Sequence, residues 1–311
     1  MVKISVVIPT YNCREVLGRC LDALAGHGRR GECEVIVVDD GSTDGTQDLL
    51  RGRADRFPAE LRFFHQDHRG PAAARNLGVK NSTGGSVLLL GADMIADGAL
   101  LGEHLDWHER HPEETVAVLG HIAWARGIPT TPFLRWLEHG AQFAYPLIQD
   151  PTDVPYRFFY SSNISLKKGF LLKHGLFDED FPHAALEDFE LGYRLSKAGL
   201  RIIYDPKAVA YHDHLMDQMG FARRSRLAGE ALCILHRKHP ELAGEYRPPD
   251  SHLLKRAVAL LVWNLPQVAA GLLPMRFLSA CYLYMVAQFM HSGYSAKSRE
   301  RSGTISRESA R

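Results

Sequence analysis

The chain is predicted to be an α/β protein: a doubly wound, mostly parallel sheet flanked by helices, with a C-terminal helical extension. Three observations carry that prediction. Short apolar, β-branched runs alternate with helical patterns through the first hundred residues, the signature of successive strand–helix–strand units. Each run stops abruptly in a polar turn, so the strand ends cluster residues able to bind or react. The most apolar part of the chain comes only after the alternation has ended.

Taken in order, Lys3–Pro9 is a buried strand stopped by proline and followed by the polar turn Thr10-Tyr11-Asn12. Val16, Leu17, Cys20, Leu21 and Leu24 then recur at helical spacing. Glu34–Val38 is a second buried strand, running into Asp39-Asp40-Gly41-Ser42-Thr43-Asp44-Gly45-Thr46. That cluster suits either a well-capped strand–helix loop or a site. Leu61–His65 is a third strand, and Gly70-Pro71 opens a helix that ends near Gly84-Gly85. Val87–Leu90 is a fourth, buried on both faces, and it ends in Gly91-Ala92-Asp93. Asp93 is thereby a loop cap or a metal ligand, and Asp97 an N-cap for the next helix.

Val116–Trp124 reads as another strand, residues 127–157 as an irregular connection, and Tyr160–Leu166 as a half-buried alternating strand. Leu186, Phe189 and Tyr193 mark a helix stopped by Gly199, with Glu187 and Asp188 in its first turn. There the helix dipole stabilises negative charge, as simple dipole matching or to keep a functional carboxylate ionised. Leu200–Tyr204 is a strand that Pro206 is expected to break, before Val209–His214. His212 and His214 are spaced to point the same way from an extended segment, as surface histidines or as metal ligands.

Composition narrows the class. The 311 residues carry a formal net charge of +1, which gives no pull toward nucleic acid. Five cysteines without C-x-x-C spacing read as reduced thiols of a cytosolic protein. Strand-like sequence follows Met1 at once, so no signal peptide is expected. Leu253–Met290 is too interrupted by charged residues and prolines to span a membrane, and fits either an interfacial helix pair or a hairpin packed on the protein. The polar segment from 293 to 311 is expected to be a disordered tail. The domains expected are 1–235 for the α/β part, 236–292 for the helical extension, and the tail.

The motifs also fall in a distinctive order: Val-Val-Ile-Pro-Thr-Tyr-Asn, Val-Val-Asp-Asp-Gly-Ser-Thr-Asp, Gly-Pro-Ala-Ala-Ala-Arg-Asn, an acid after a strand, Glu-Asp, and His-x-His. Over residues 3 to about 235 this resembles the inverting family 2 glycosyltransferases of the GT-A fold. The resemblance implies a nucleotide-diphosphate sugar donor, a UDP-sugar first among them, a divalent cation (Mn²⁺ or Mg²⁺), and a glycan or lipid-linked acceptor. It implies a place in surface polysaccharide or glycolipid synthesis, in the cytoplasm or on the inner face of the membrane with peripheral contact. By position, Pro9, Thr10 and Tyr11 resemble the turn that packs on the base and ribose, and Asp40 the acid that accepts from the base. Arg75 matches the arginine near the nucleotide. Asp93, with Ala92 before it, closes the D-x-D motif and is the implied metal ligand, with His212 as a second ligand and His214 as its alternative. Asp188 matches the general base, with Glu187 beside it in the catalytic set. Gly91 stands where the family has the first D-x-D acid, which admits a second reading, a catalytically degenerate nucleotide-sugar binder.

Overall fold

The structure is a computed structural model that describes residues 2–26, 30–129, 131–245, 248–249 and 252–308. Its strands are β1 (Ile4–Thr10), β2 (Cys33–Asp39), β3 (Glu60–His65), β4 (Ser86–Leu90), β5 (Met94–Ala96), β6 (Val116–Trp124), β7 (Asn163–Lys167) and β8 (Arg201–His212). The helices are α1 (Arg14–Ala25), α2 (Thr46–Ala54), α3 (Pro71–Asn81), α4 (Leu100–Arg110), α5 (Pro132–Trp136), α6 (Lys168–Lys173), α7 (Glu187–Lys197), α8 (Gln218–Lys238), α9 (Leu253–Trp263), α10 (Gln267–Ala270) and α11 (Met275–Glu308). Chain contacts group them into two compact units: residues 1–128 with 143–214, and residues 129–142 with 215–311. Helix α8, expected at the end of the α/β part, thus clusters with the C-terminal helices.

The first unit holds one eight-stranded sheet in the order β3-β2-β1-β4-β7-β6-β8-β5. Strand β1 pairs in parallel with β2 and β4, and β2 with β3. A central parallel strand must be apolar on both faces, and β1 divides its side chains accordingly. Ile4, Val6 and Ile8 pack in one cluster with Leu17, Cys20 and Leu21 of α1. Val7 packs in the other with Ala72, Ala74 and Val79 of α3. Helix α3 lies close to the sheet because its inner face is small: a Cβ at Gly78 would fall 2.4 Å from Val7 Cγ1.

Four expectations are corrected. Strand β5 was not expected; Met94–Ala96 forms it by pairing antiparallel with the end of β8. Strand β7 is not half-buried but central, antiparallel to both β4 and β6. Its polar residues suggested a wet face, yet they meet buried histidines. Ser165 Oγ lies 2.8 Å from both His104 Nδ1 and His108 Nε2, and Asn163 Oδ1 lies 3.0 Å from His104 Nε2. Burial lowers these histidines to about 4 and about 3. Third, Pro206 does not end a strand. It lies in a bulge where the β6–β8 register moves from Gly120↔Asp205 to His121↔Val209, and pairing then continues to Trp124↔His212. Bulges are where a strand tolerates a residue that cannot donate to the ladder. The bulge is pinned by the Asn163 amide, which donates to the carbonyls of His121 (3.1 Å) and Ala208 (2.9 Å). Fourth, helix α11 continues to Glu308 through the segment expected to be a tail, of which residues 309–311 lie outside the described residues. Its Ala, Lys, Arg and Glu residues are good helix formers, and extending a helix costs far less than nucleating one.

In the second unit, Phe133, Trp136, Phe221, Trp263 and Tyr282 meet mostly edge to face around a common core, with ring centroids 5.2–5.9 Å apart. Helices α8 and α11 cross backbone to backbone. A Cβ at Gly229 would lie 1.8 Å from the Met290 carbonyl oxygen, and one at Gly293 would lie 1.9 Å from that of Arg226.

Candidate active site

The loops after β1, β2 and β3 are tied together at one edge of the sheet. Asn12 has a positive φ of 48°, which its short polar side chain tolerates, and its Oδ1 accepts from Thr43 N at 2.8 Å. Asn12 N in turn donates to Ser42 Oγ. Asp44 receives Arg14 N, at the start of α1, on one oxygen and Thr46 N, at the start of α2, on the other. The capping expected of the Ser-Thr-Asp turn is therefore real, but it serves two helices rather than one.

Asp40 organises the third loop. Its Oδ1 accepts from Gln66 Nε2 (2.6 Å) and Arg69 N (2.9 Å), and its Oδ2 from Gly70 N (2.9 Å) and His68 Nδ1 (2.8 Å). A carboxylate offers about four lone-pair sites, so these donors fill it. Asp40, expected to accept from the base, is here held by four donors of the β3–α3 loop that no local sequence pattern reveals. Gly41 (φ +83°) lets that loop approach, since a Cβ there would lie 2.9 Å from His68 N. The His68 ring lies against the half-exposed ring of Tyr11, with centroids 4.1 Å apart and planes 20° from parallel. Pro9 does not stop β1 as expected: it lies beside Val38, and pairing continues to Thr10 beside Asp39, with Thr10 buried and its hydroxyl 3.0 Å from Cys13 Sγ. Of the expected Pro9-Thr10-Tyr11 turn, Tyr11 is the exposed aromatic face.

Arg75, the basic residue expected near a nucleotide, is buried against Glu187, with Nη1 2.8 Å from Oε1 and its guanidinium over the Phe177 ring. Its Nε is buried without a hydrogen-bond partner. Burial, then the neighbouring Asp188 charge, push Glu187 up to about 6 against the pull of Arg75. Glu187, expected in the catalytic set, is buried and turned onto Arg75 of α3 by its position on α7. Asp188 next to it is only partly buried. Its Oδ2 has Ser161 N and Oγ at 3.4 Å, and its Oδ1 accepts from Phe189 N. Leu186, which precedes this pair, has a φ of 64°, a left-handed conformation costly for a branched side chain. The same region is joined to the Asp40 loop: Arg69 pairs with Glu179, Asn76 holds Phe177 O and Glu179, and a Cβ at Gly70 would lie 2.7 Å from Pro182 O.

Asp93 and His212, separated by more than half the first unit's sequence, meet. Asp93 Oδ2 lies 3.1 Å from His212 Nε2, because β5 pairs Met94 opposite His212 and Asp213 N donates to Asp93 O at 2.8 Å. Burial raises the Asp93 carboxyl, but the hydrogen bond and charge of His212 outweigh it, and the group lies below its ordinary value. His212 is buried edge-on to Trp124, its Nδ1 without a partner, and the His214 ring is 6.0 Å away. Ala92 is buried between Asp93 and Gly91. At Gly91 a Cβ would lie 2.7 Å from Asp93 Oδ1, so Asp93 leans over the place where a first D-x-D side chain would start. Among the described residues no group of three or more His, Cys, Asp or Glu is clustered to hold a metal. The donor set at this spot is one carboxylate and one imidazole. Such a pair suits a cation that takes its remaining ligands from phosphate oxygens.

The sequence model of the family described as Glycosyl transferase family 2 matches residues 5–174. An uncharacterized glycosyltransferase, YfnE of Bacillus subtilis, is 30% identical over 257 residues, covering 68% of this chain and 64% of that protein. Chondroitin synthase of Escherichia coli is 25% identical, covering 84% of this chain and 42% of its own. The chain thus spans less than two thirds of the length of either relative. Among solved structures, the mannosyltransferase PcManGT of Pyrobaculum calidifontis, in complex with GDP-Man and Mn²⁺, superposes with a TM-score of 0.64 at 21% identity, over 94% of this chain and 87% of that one. Staphylococcus aureus TarS 1–349, in complex with UDP, gives 0.55 at 19% identity, over 97% and 92%. The fold is that of the GT-A glycosyltransferases.

Proposed function

Because this chain belongs to glycosyl transferase family 2, we propose that it is an inverting, cation-dependent glycosyltransferase. It would move a hexosyl or N-acetylhexosaminyl group from a nucleoside-diphosphate sugar to a hydroxyl of a glycan or lipid-linked acceptor in polysaccharide or glycolipid synthesis, with peripheral membrane contact through the C-terminal helices. The observation that carries the reading is the meeting of Asp93 with His212, which two separate motifs and a strand bulge conspire to produce. Its neighbours were solved with GDP-Man, UDP and UDP-GlcNAc, which supports a nucleotide-sugar donor.

Asp93 and His212 would hold the divalent cation, Mn²⁺ or Mg²⁺, which when bound neutralises charge on the departing diphosphate. Tyr11 offers its exposed ring to the base, and Asp40 keeps the β3–α3 loop in shape beside it. Asp188 is the general base. It stands in the first turn of an eleven-residue helix, and its contacts with Ser161 are long enough to leave lone pairs open. As the acceptor oxygen attacks the anomeric carbon on the face opposite the leaving group, Asp188 takes its proton and the configuration inverts. Glu187 positions Asp188 by anchoring the helix start to Arg75.

A panel of nucleotide sugars with Mn²⁺ and a broad acceptor set tests this reading. Nucleotide-diphosphate release with a product of inverted anomeric configuration, read by NMR, is the expected outcome; a retained configuration overturns the mechanism. Gly91 favours a second reading, a nucleotide-sugar binder without turnover. Tight donor binding by calorimetry with no release from any donor would select it.

A further inference from the structure

Fifteen large apolar side chains are exposed among the described residues, and ten of them lie between Leu253 and Leu283. Scattered exposed leucines need no explanation, but a concentration of this kind does. The inward residues of the same helices already form a closed core. Ala259, Val262 and Trp263 of α9, Ala270 of α10, and Leu278 and Tyr282 of α11 are buried. The outward residues therefore contribute nothing to that core: Leu253 is 81% exposed, Leu261 67%, Val268 88% and Leu272 87%, with Val258, Leu260, Met275, Phe277 and Leu283 also exposed.

Charge tells what the face would meet. From 251 to 299 the chain contains no aspartate or glutamate, while Lys255, Arg256, Arg276, Lys297 and Arg299 lie within that stretch. Arg256 and Arg276 are exposed on α9 and α11 beside the apolar residues. An apolar face set with cations and stripped of anions complements a surface that is greasy within and negative at its rim. No helix of the described residues is long and apolar enough to cross a membrane, and α9 has only eleven residues. The surface must then be lain upon, not crossed.

We infer that α9, α10 and the start of α11 form an interfacial anchor for an anionic lipid bilayer, with the leucines and Val268 entering the acyl boundary and Arg256 and Arg276 at the headgroups. The inference rests on the membrane contact proposed above and supplies its chemistry; it does not depend on turnover.

The test is flotation of the full chain with vesicles of phosphatidylcholine alone, and of phosphatidylcholine mixed with phosphatidylglycerol, at low and high salt. Binding to the mixed vesicles is expected to exceed binding to the neutral ones by about tenfold or more, and to weaken several-fold in high salt. The double variant Leu261→Glu/Leu272→Glu is expected to lose about tenfold or more of that binding. Both positions are exposed, so its circular dichroism and melting temperature should match the parent. Should it fail to fold, Arg256→Gln/Arg276→Gln reads the charge component alone, with the phosphatidylglycerol preference reduced. Equal binding to both vesicle types overturns the anionic assignment while leaving membrane contact standing. No binding to either overturns both. A dimer in sedimentation equilibrium that the leucine variant dissociates, without vesicle binding, assigns the face to a second copy and likewise overturns the inference.

Discussion

Asp40, just after β2, and Asp188, in the first turn of α7, are carboxylates in opposite circumstances. Four donors at 2.6–2.9 Å fill Asp40, all of them from one loop of its own chain. Asp188 has one short contact, to the amide of the next residue, and two at the outer limit of hydrogen bonding. A filled carboxylate is a structural part, its geometry set by what it holds. An open one at a helix start keeps lone pairs free for something that arrives. Asp93 stands between them, with a single side-chain partner in His212. The contrast separates an acid that builds the site from one proposed to act in it, a distinction that residue type alone cannot make.

The sharpest way to break that contrast is Asp188→Asn. Loss of a general base should lower transfer by roughly 10²–10⁴-fold while the melting temperature stays near that of the parent, because few contacts are lost. A variant that keeps its turnover, or one that unfolds, would place Asp188 with the structural acids.

Next comes Arg75→Gln, which leaves Glu187 buried with its charge uncompensated. Removing one partner of such a pair costs about 3–5 kcal/mol. Glu187 has a folded value of about 6, above its ordinary 4.5, so its contribution to stability is lost as pH rises through that window. The Arg75→Gln penalty in urea unfolding should therefore be larger at pH 7 than at pH 5, and Glu187→Gln should relieve it.

For the intermediate acid, Asp93→Ala should reduce cation-dependent transfer on the order of a hundredfold and abolish the response to Mn²⁺ titration. Gly91→Asp is the more discriminating variant. It places a Cβ against Asp93 Oδ1, so it should lower activity by displacing Asp93 from His212 rather than raise it by restoring an acid. A gain in activity would show that the D-x-D motif merely lacks a ligand.

Asp40→Asn turns one acceptor into a donor facing donors. It should cost about 1–3 kcal/mol in thermal or urea unfolding and weaken nucleotide binding through the loop. If stability is unchanged but nucleotide binding collapses, Asp40 belongs with the acting acids after all.

The last test concerns another filled network, His104 and His108 with Ser165 and Asn163. Their folded values of about 4 and about 3 lie below the ordinary 6.5, so the unfolded chain binds more protons as pH falls through that window. Stability should fall by about 1.4 kcal/mol per pH unit for each histidine between pH 6.5 and pH 4. His104→Gln with His108→Gln should flatten that slope in denaturation curves across pH.

The parallel half of the sheet was legible because periodicity and turn residues are local signals. The runs at Ile4–Thr10, Cys33–Asp39 and Ser86–Leu90 are apolar on both faces wherever they are placed. Strand β7 misled because alternation of polar and apolar residues has two causes, a solvent face and a buried polar partner, and His104 lies some sixty residues away. Strand β5, three residues long, exists only through its pairing with β8. In the candidate site, Asp93, His212 and Asp188 stood out through motif order. His68, Asn12, Gln66 and Asn163 did not, since each acts through a partner on another loop and none repeats with a period.

The bulge at residues 206–208 divides β8 into two registers that answer to different neighbours. The first half is matched to the start of β6 in the core, and the second half carries His212 to its meeting with Asp93. Pro206 and Lys207 are exposed and absorb the offset between the two, while Ala208 behind them is buried and held by the Asn163 amide. The strand thus contains its own expansion joint. A change at 206–207 alters a local turn, and the hand that holds Asp93 keeps its grip.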